Sequence, residues 1–193
     1  MPKNILVVTA IIVAVIAIGA TASYITLRQE VEEVKETSVA TLTQTMEERI
    51  LFIISTWDPH ASLLSPTAPN FINITNRINE LEPKSIVIPS LLNLLKHKNP
   101  TVRLFAIWSI HTIDIVKYKK YISPDLLAVG LKDEESTVRV LTAATLLGIG
   151  DTRGLQILEE ATTLNEPMKF TEPPVLISQA AREILEGYKE EGK

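Results

Sequence analysis

Apolar positions follow three different patterns along the chain. From Ile5 to Leu27 they are nearly continuous, with 18 of 23 residues apolar and none charged. A helix of that length spans roughly 34 Å at 1.5 Å per residue, enough for a bilayer core. From Leu27 to Ile53 they thin to a single stripe, recurring every three or four residues at Val31, Val34, Ser38, Leu42, Met46 and Ile50. That spacing, free of Gly and Pro, predicts a helix over 28–56. Pro59, Pro66 and Pro69 then make Asp58–Asn70 a loop. Helical spacing returns at Phe71, Ile74, Ile78 and Leu81, and Pro83 ends it.

From Ser85 the pattern repeats. Pro89-Ser90-Leu91-Leu92 returns as Pro124-Asp125-Leu126-Leu127, shifted by 35 residues. Leu95-Lys96 returns as Leu131-Lys132, and Thr101-Val102-Arg103 as Thr137-Val138-Arg139, both shifted by 36. A weaker third copy over Leu155–Leu185 aligns Val175 and Ala180-Ala181 with Val138 and Ala143-Ala144 at a shift of 37. A period near 36 residues, built from two helices and a short turn, predicts an all-α solenoid of about three helical hairpins. The expected organisation is a transmembrane or signal segment over 1–27 and a connector or stalk over 28–56. A proline-containing loop and capping helix follow over 57–84, then a repeat domain over 85–193.

The copy at Thr137–Leu158, TVRVLTAATLLGIGDTRGLQIL, resembles the HEAT-like repeat family in the short form also found in phycobilisome-lyase-type proteins. It carries the Val-Arg opening, the Ala-Ala pair, the Leu-Gly-x-Ile-Gly-Asp turn and the following Leu-x-x-Leu. The residues explain themselves physically. Ala143 and Ala144 are small where helices must approach closely, and Val138, Leu141 and Leu146 supply apolar packing. Gly148 and Gly150 suit a tight turn out of the helix, and Asp151 suits the cap of the next one. The resemblance implies that Asp133 and Arg139, six residues apart, hydrogen-bond and stack along the solenoid. The equivalent positions are His97 and Arg103 in the first copy, while the third has Leu176 in place of the arginine, so the ladder is incomplete. Family members serve as scaffolds and adaptors and occasionally as enzymes, so the resemblance speaks to architecture more than to function.

Composition narrows the rest. The chain has 193 residues and no cysteine, which excludes disulfides, a thiolate nucleophile and zinc bound through sulfur. The apolar N-terminal block reads either as a signal anchor or as a signal peptide cut after Ala22, at a small-x-small site. Counting Lys3 and the amino terminus against Arg28 favours an N-in anchor with the C-terminal domain outside the cytoplasm. Asn73-Ile74-Thr75 would then be a glycosylation acceptor in a glycosylating organism. The 28–56 stripe is thin enough that its last turns pack on the domain, with a weak homodimer through the stalk as the other reading.

The net charge of -4 argues against a nucleic-acid coat. Residues 86–132 nevertheless carry net +5, and residues 151–193 carry net -4. Lys117-Tyr118-Lys119-Lys120-Tyr121 is a basic-aromatic edge suited to a partner or acidic lipid. His111 and Asp114 share a helical face but lack a third ligand, His60 lies in the proline loop, and His97 sits at a turn. Glycines 148, 150 and 154 follow a helix rather than a strand, so they form no dinucleotide loop. These features predict a membrane-tethered, non-catalytic scaffold that binds another protein, without cofactor or metal. A small-molecule-binding or lyase-like repeat enzyme is the alternative from the resemblance. A secreted binding protein released after Ala22 is the alternative from the N-terminus.

Overall fold

A computed structural model describes residues 28–29, 32–33, 35–61, 69–171 and 173–190. The apolar block over 5–27 lies outside the described residues. No helix among those described is long and apolar enough to cross a membrane. The chain divides into two compact units, Met1–Leu42 and Thr43–Lys193. In the first, residues 35–42 are helical and exposed on every side, with Val39 and Leu42 open to solvent.

The second unit is all-helical among its described residues, and its segments pair in the manner of a helical solenoid. They are α1 (43–55), α2 (Phe71–Asn79), α3 (Lys84–Leu94), α4 (Pro100–Thr112), α5 (Ile115–Tyr118), α6 (Pro124–Leu127), α7 (Ser136–Gly148), α8 (Leu155–Ala161) and α9 (Ile177–Glu190). Short 3₁₀ segments follow α5, α6 and α7, at Lys119–Tyr121, Ala128–Lys132 and Thr152–Gly154. Starts are set by caps that accept an orphan amide: Asn70 for α2, Asn99 before Pro100 for α4, and Ser123 before Pro124 for α6. The end of α7 is a Schellman turn. Gly150, at φ +84°, donates to the Leu147 carbonyl and Asp151 donates to that of Leu146.

Helices α2, α4, α7 and α9 form one layer. In the other, α3 packs on α4, α6 with its 3₁₀ extension on α7, and α8 on α7 and α9. One apolar core runs from Met46 to Ala181. Helices α1 and α2 belong to the same compact unit as the repeats. Ile50, Ile53 and Ile54 of α1 are buried, Ser90 donates to the Thr43 carbonyl, and Asn93 donates to Glu47. Arg77 of α2 donates back to Thr56 just beyond α1. Met46, Ile50 and Ile53, in the C-terminal half of the predicted stalk seam, are buried within the unit.

The third repeat departs most from the prediction. Val175, aligned with helical Val138, lies outside α9, because fifteen residues, 162–176, separate α8 from α9. This connection folds back on the second repeat. The Lys169 amide donates to Thr137 at the start of α7, and the Lys169 ammonium pairs with Glu135 at 2.7 Å. Phe170, at φ +63°, then stacks on Phe71 with centroids 4.0 Å apart, and meets Trp57 edge-on at 5.3 Å.

Candidate functional site

The turn after α3, the 3₁₀ segment Ala128–Lys132 and the turn before α7 surround an open cleft of about 850 Å³. Its wall is Arg103, in the first turn of α4. The guanidinium donates Nε to Asp133 at 2.6 Å and Nη2 to Asp133 and Glu134 at 3.0 and 2.8 Å. Nη1 donates to the carbonyls of His97 and Lys98, so nearly every donor of the fork is used. The side chains of Arg103 and Asp133 are only 10% and 4% exposed. The hydrogen bond to Asp133 raises the guanidinium pKa further, against the cost of burial. Arg103 is therefore a strut between two repeats, with no free donor edge for a ligand.

The expected pairing of Asp133 with Arg139 is corrected by this geometry. The Asp133 carboxylate serves Arg103 of the preceding repeat. Arg139 instead donates to the carbonyls of Asp133 and Glu134 at 2.7 and 2.9 Å and to the Ser136 hydroxyl. Both arginines thus clamp the turn of their own repeat, and only Arg103 also reaches the next. In the third repeat Leu176 precedes α9, and Arg182 takes over the clamp by donating to the Thr162 carbonyl at the end of α8. A rung of this kind links residue n of one copy to residue n + 30. Comparison within a copy cannot reveal that.

Arg153 closes the far end of the cleft. It pairs with Asp151 at 2.6 Å and Asp125 at 2.9 Å. The hydrogen bonds from Arg153 hold the Asp151 carboxyl below its ordinary range. Asp151 also accepts the Arg153 amide, capping the 3₁₀ turn that leads into α8. With both arginines neutralised, the cations left in the cleft are Lys96, Lys98 and Lys132, exposed and without an ion pair among the described residues. Val129 is exposed on the floor beside Leu95 and Leu131. Lys132 and Val129 escaped the sequence reading. The 36-residue shift that places Lys132 on Lys96 carries the signal for the first.

The small residues divide sharply. Ala143 is fully buried, and a β-carbon on Gly154 would lie 2.6 Å from its carbonyl oxygen and 2.7 Å from its Cα. A β-carbon on Gly130 would collide with Thr142. Neither Gly130 nor Gly154 was among the expected motif positions. Ala144 is half-buried. Gly148 is helical and exposed, with only an ordinary contact to Ile115 for an added β-carbon, so the turn needs Gly150 and not Gly148.

Lys117, Tyr118, Lys119, Lys120 and Tyr121 form a compact edge over α5 and its 3₁₀ extension. The tyrosine rings are half-buried and 6.5 Å apart, and Lys117 and Lys120 each lie 4.9 Å from the centroid of the following ring. Val116, at the tip, is 90% exposed. The histidines are dispersed. His111 Nδ1 contacts the Thr145 hydroxyl at 3.1 Å, while Asp114 caps α5 through the Lys117 amide, so the two share no ligand position. His97 accepts the Asn99 amide, and His60 donates its amide to Asp58. No group of three His, Cys, Asp or Glu residues among those described could hold a metal. The Asn73 tripeptide lies within α2 with Thr75 buried and its hydroxyl on the Phe71 carbonyl, so it is not the exposed loop an acceptor needs.

No curated protein and no solved structure matches the chain. Residues 87–114, from the second turn of α3 to just beyond α4, match the HEAT repeat family, and this match supports a HEAT-like repeat protein.

Proposed function

We propose that this chain is a non-catalytic scaffold, tethered to a membrane through residues 5–27, whose repeat unit takes a protein partner into the cleft beside Arg103. HEAT repeats generally mediate protein–protein interaction, which supports the reading from the matched pair α3–α4. The observation that carries it is the cleft itself. Its two arginines are engaged by Asp133, Glu134, Asp151 and Asp125, whereas Lys96, Lys98 and Lys132 have no ion pair among the described residues and surround an apolar floor. A rigid wall with spare charge and exposed Val129 recognises a surface rather than transforms a substrate.

The test is capture of partners by the tagged full chain from a membrane fraction, with K96E/K98E/K132E in parallel. The expected result is a protein recovered with the wild type and lost with the triple variant at equal expression. An identical set of captured proteins for both overturns the cleft as the docking surface. Alkaline extraction of the same membranes tests the tether: the full-length chain is expected in the pellet. A soluble product beginning at Ser23 identifies a cleaved signal peptide instead.

A further inference from the structure

The basic-aromatic edge lies outside the cleft, with its tyrosines packed on the core, and its composition is specific. Val116 is the most exposed of the large apolar side chains among the described residues, at 90%. It sits where a polar residue would cost nothing, directly after Asp114 has closed the cap of α5. Tyr118 and Tyr121 are half-buried against the core, and the Lys117 and Lys120 ammonium groups lie over their rings. Stacking of nucleic-acid bases needs an open ring face, and here Lys117 and Lys120 lie over the rings. The surrounding acids are already engaged: Asp114 accepts the Lys117 amide, Glu82 pairs with Lys84 at 2.9 Å, and Asp151 pairs with Arg153. Lys119 and Lys120, on the 3₁₀ segment, are exposed and without an ion pair among the described residues.

One apolar tip, two amphipathic rings at an intermediate depth and three cations make the layered order of a bilayer interface. Apolar side chains enter the acyl boundary, tyrosines lie at headgroup level, and lysines meet phosphates. We propose that the edge Val116–Tyr121 docks on the headgroup region of an anionic bilayer, inserting Val116 and placing Lys117, Lys119 and Lys120 on lipid phosphates. The proposed tether enters only in explaining how the chain comes to a bilayer; the edge itself is argued from its own residues. Each lysine near an anionic surface contributes about a fivefold gain in partitioning, so the contact is reversible and salt-sensitive.

The cysteine-free chain permits a clean test. The full-length V116C variant, labelled with an environment-sensitive fluorophore, is reconstituted in phosphatidylcholine vesicles with and without phosphatidylserine. Q156C, at an exposed position on α8, serves as control. The expected result is a blue shift at position 116, and quenching by spin-labelled lipid, only with phosphatidylserine. Both are lost in K119E/K120E and in high salt, while position 156 stays unchanged. Emission at 116 indistinguishable from 156 in both vesicles overturns the proposal. So does an equal shift in phosphatidylcholine alone, or a shift in detergent without lipid, which would mark a protein contact. Should the full chain prove soluble, the tether fails; adding the same vesicles to the soluble labelled chain then decides the edge separately.

Discussion

Two residues on the first turns of α4 hold the unit together in opposite ways. Arg103 and Phe105 are about 200° apart around the helix. Arg103 faces the next repeat and closes it with a buried ion pair to Asp133. Phe105 faces the other way, stacking on Phe71 at 4.4 Å and meeting Trp57 edge-on at 5.5 Å, in the cluster that Phe170 completes. The ionic lock joins neighbours through an arginine that recurs 36 residues on as Arg139, which clamps only the turn of its own repeat. The aromatic lock joins the first pair to a connection in the last repeat and owes nothing to the period. The first is directional. The second is an addition, and it holds Phe170 at a positive φ that costs about 1–2 kcal/mol for a residue with a β-carbon.

Breaking the ionic lock has the largest expected effect. Asp133→Ala leaves the Arg103 guanidinium buried with Glu134 and two carbonyls, and should cost about 3 kcal/mol. Denaturant unfolding monitored by Trp57 and Trp108 measures it, and Asp133→Asn should lose less because one acceptor remains. A cost under about 1 kcal/mol would mean that the repeats do not depend on this rung. Phe170→Ala comes next, at about 2 kcal/mol, below the range for a fully buried phenylalanine because the ring is half-buried. A negligible cost would show that the 162–176 connection is not latched and that the two locks are not comparable.

The contrast also decides what the sequence could reveal. The solenoid was legible because the hairpins repeat their apolar spacing, two of them share a Val-Arg opening at Val102-Arg103 and Val138-Arg139, and Gly150-Asp151 is a helix stop followed by a cap. The cap over the first repeat was legible from the apolar stripe at Ile50–Ile54 and Phe71–Leu81. The site was only partly legible. Arg103, Asp133 and Arg139 stand out in the alignment of copies, yet their partners are set by stacking between copies. Phe170 was invisible, because a lone aromatic in a connection has no period, and its partners lie 65 or more residues away in sequence. Gly130 and Gly154 were missed for a related reason, since the residue each one makes room for sits on another segment.

A pair of glycine substitutions sharpens the close approach between repeats. Gly154→Ala drives a β-carbon into the Ala143 backbone and should cost about 1–3 kcal/mol. Gly148→Ala adds the same atom at an ordinary 3.5 Å from Ile115, in a helix where alanine is preferred, and should stabilise by up to about 1 kcal/mol. Equal effects at the two positions would contradict the assignment of Gly154, rather than Gly148, as the constrained residue.

The smallest expected effect concerns His111, on α4, the helix that carries both Arg103 and Phe105, where it meets α7. Thr145 donates its hydroxyl proton to the Leu141 carbonyl, so its oxygen accepts from His111 Nδ1–H, and the ring is satisfied as neutral imidazole. Burial lowers the His111 pKa below its ordinary value. Between the lowered folded pKa and the unfolded pKa of about 6.5, the unfolded chain binds more protons than the folded one. Stability is therefore full above about pH 6.5 and falls as the pH drops toward the folded pKa, by at most about 1.4 kcal/mol per pH unit. His111→Asn keeps a donor near the Nδ1 position and removes the titration. Its stability should be nearly flat between about pH 7.5 and 5.5, while the wild type declines. His60 and His97 remain in both proteins, so the difference between the two profiles belongs to His111. Parallel profiles would mean that the imidazole takes up its proton as readily inside the α4–α7 contact as in water.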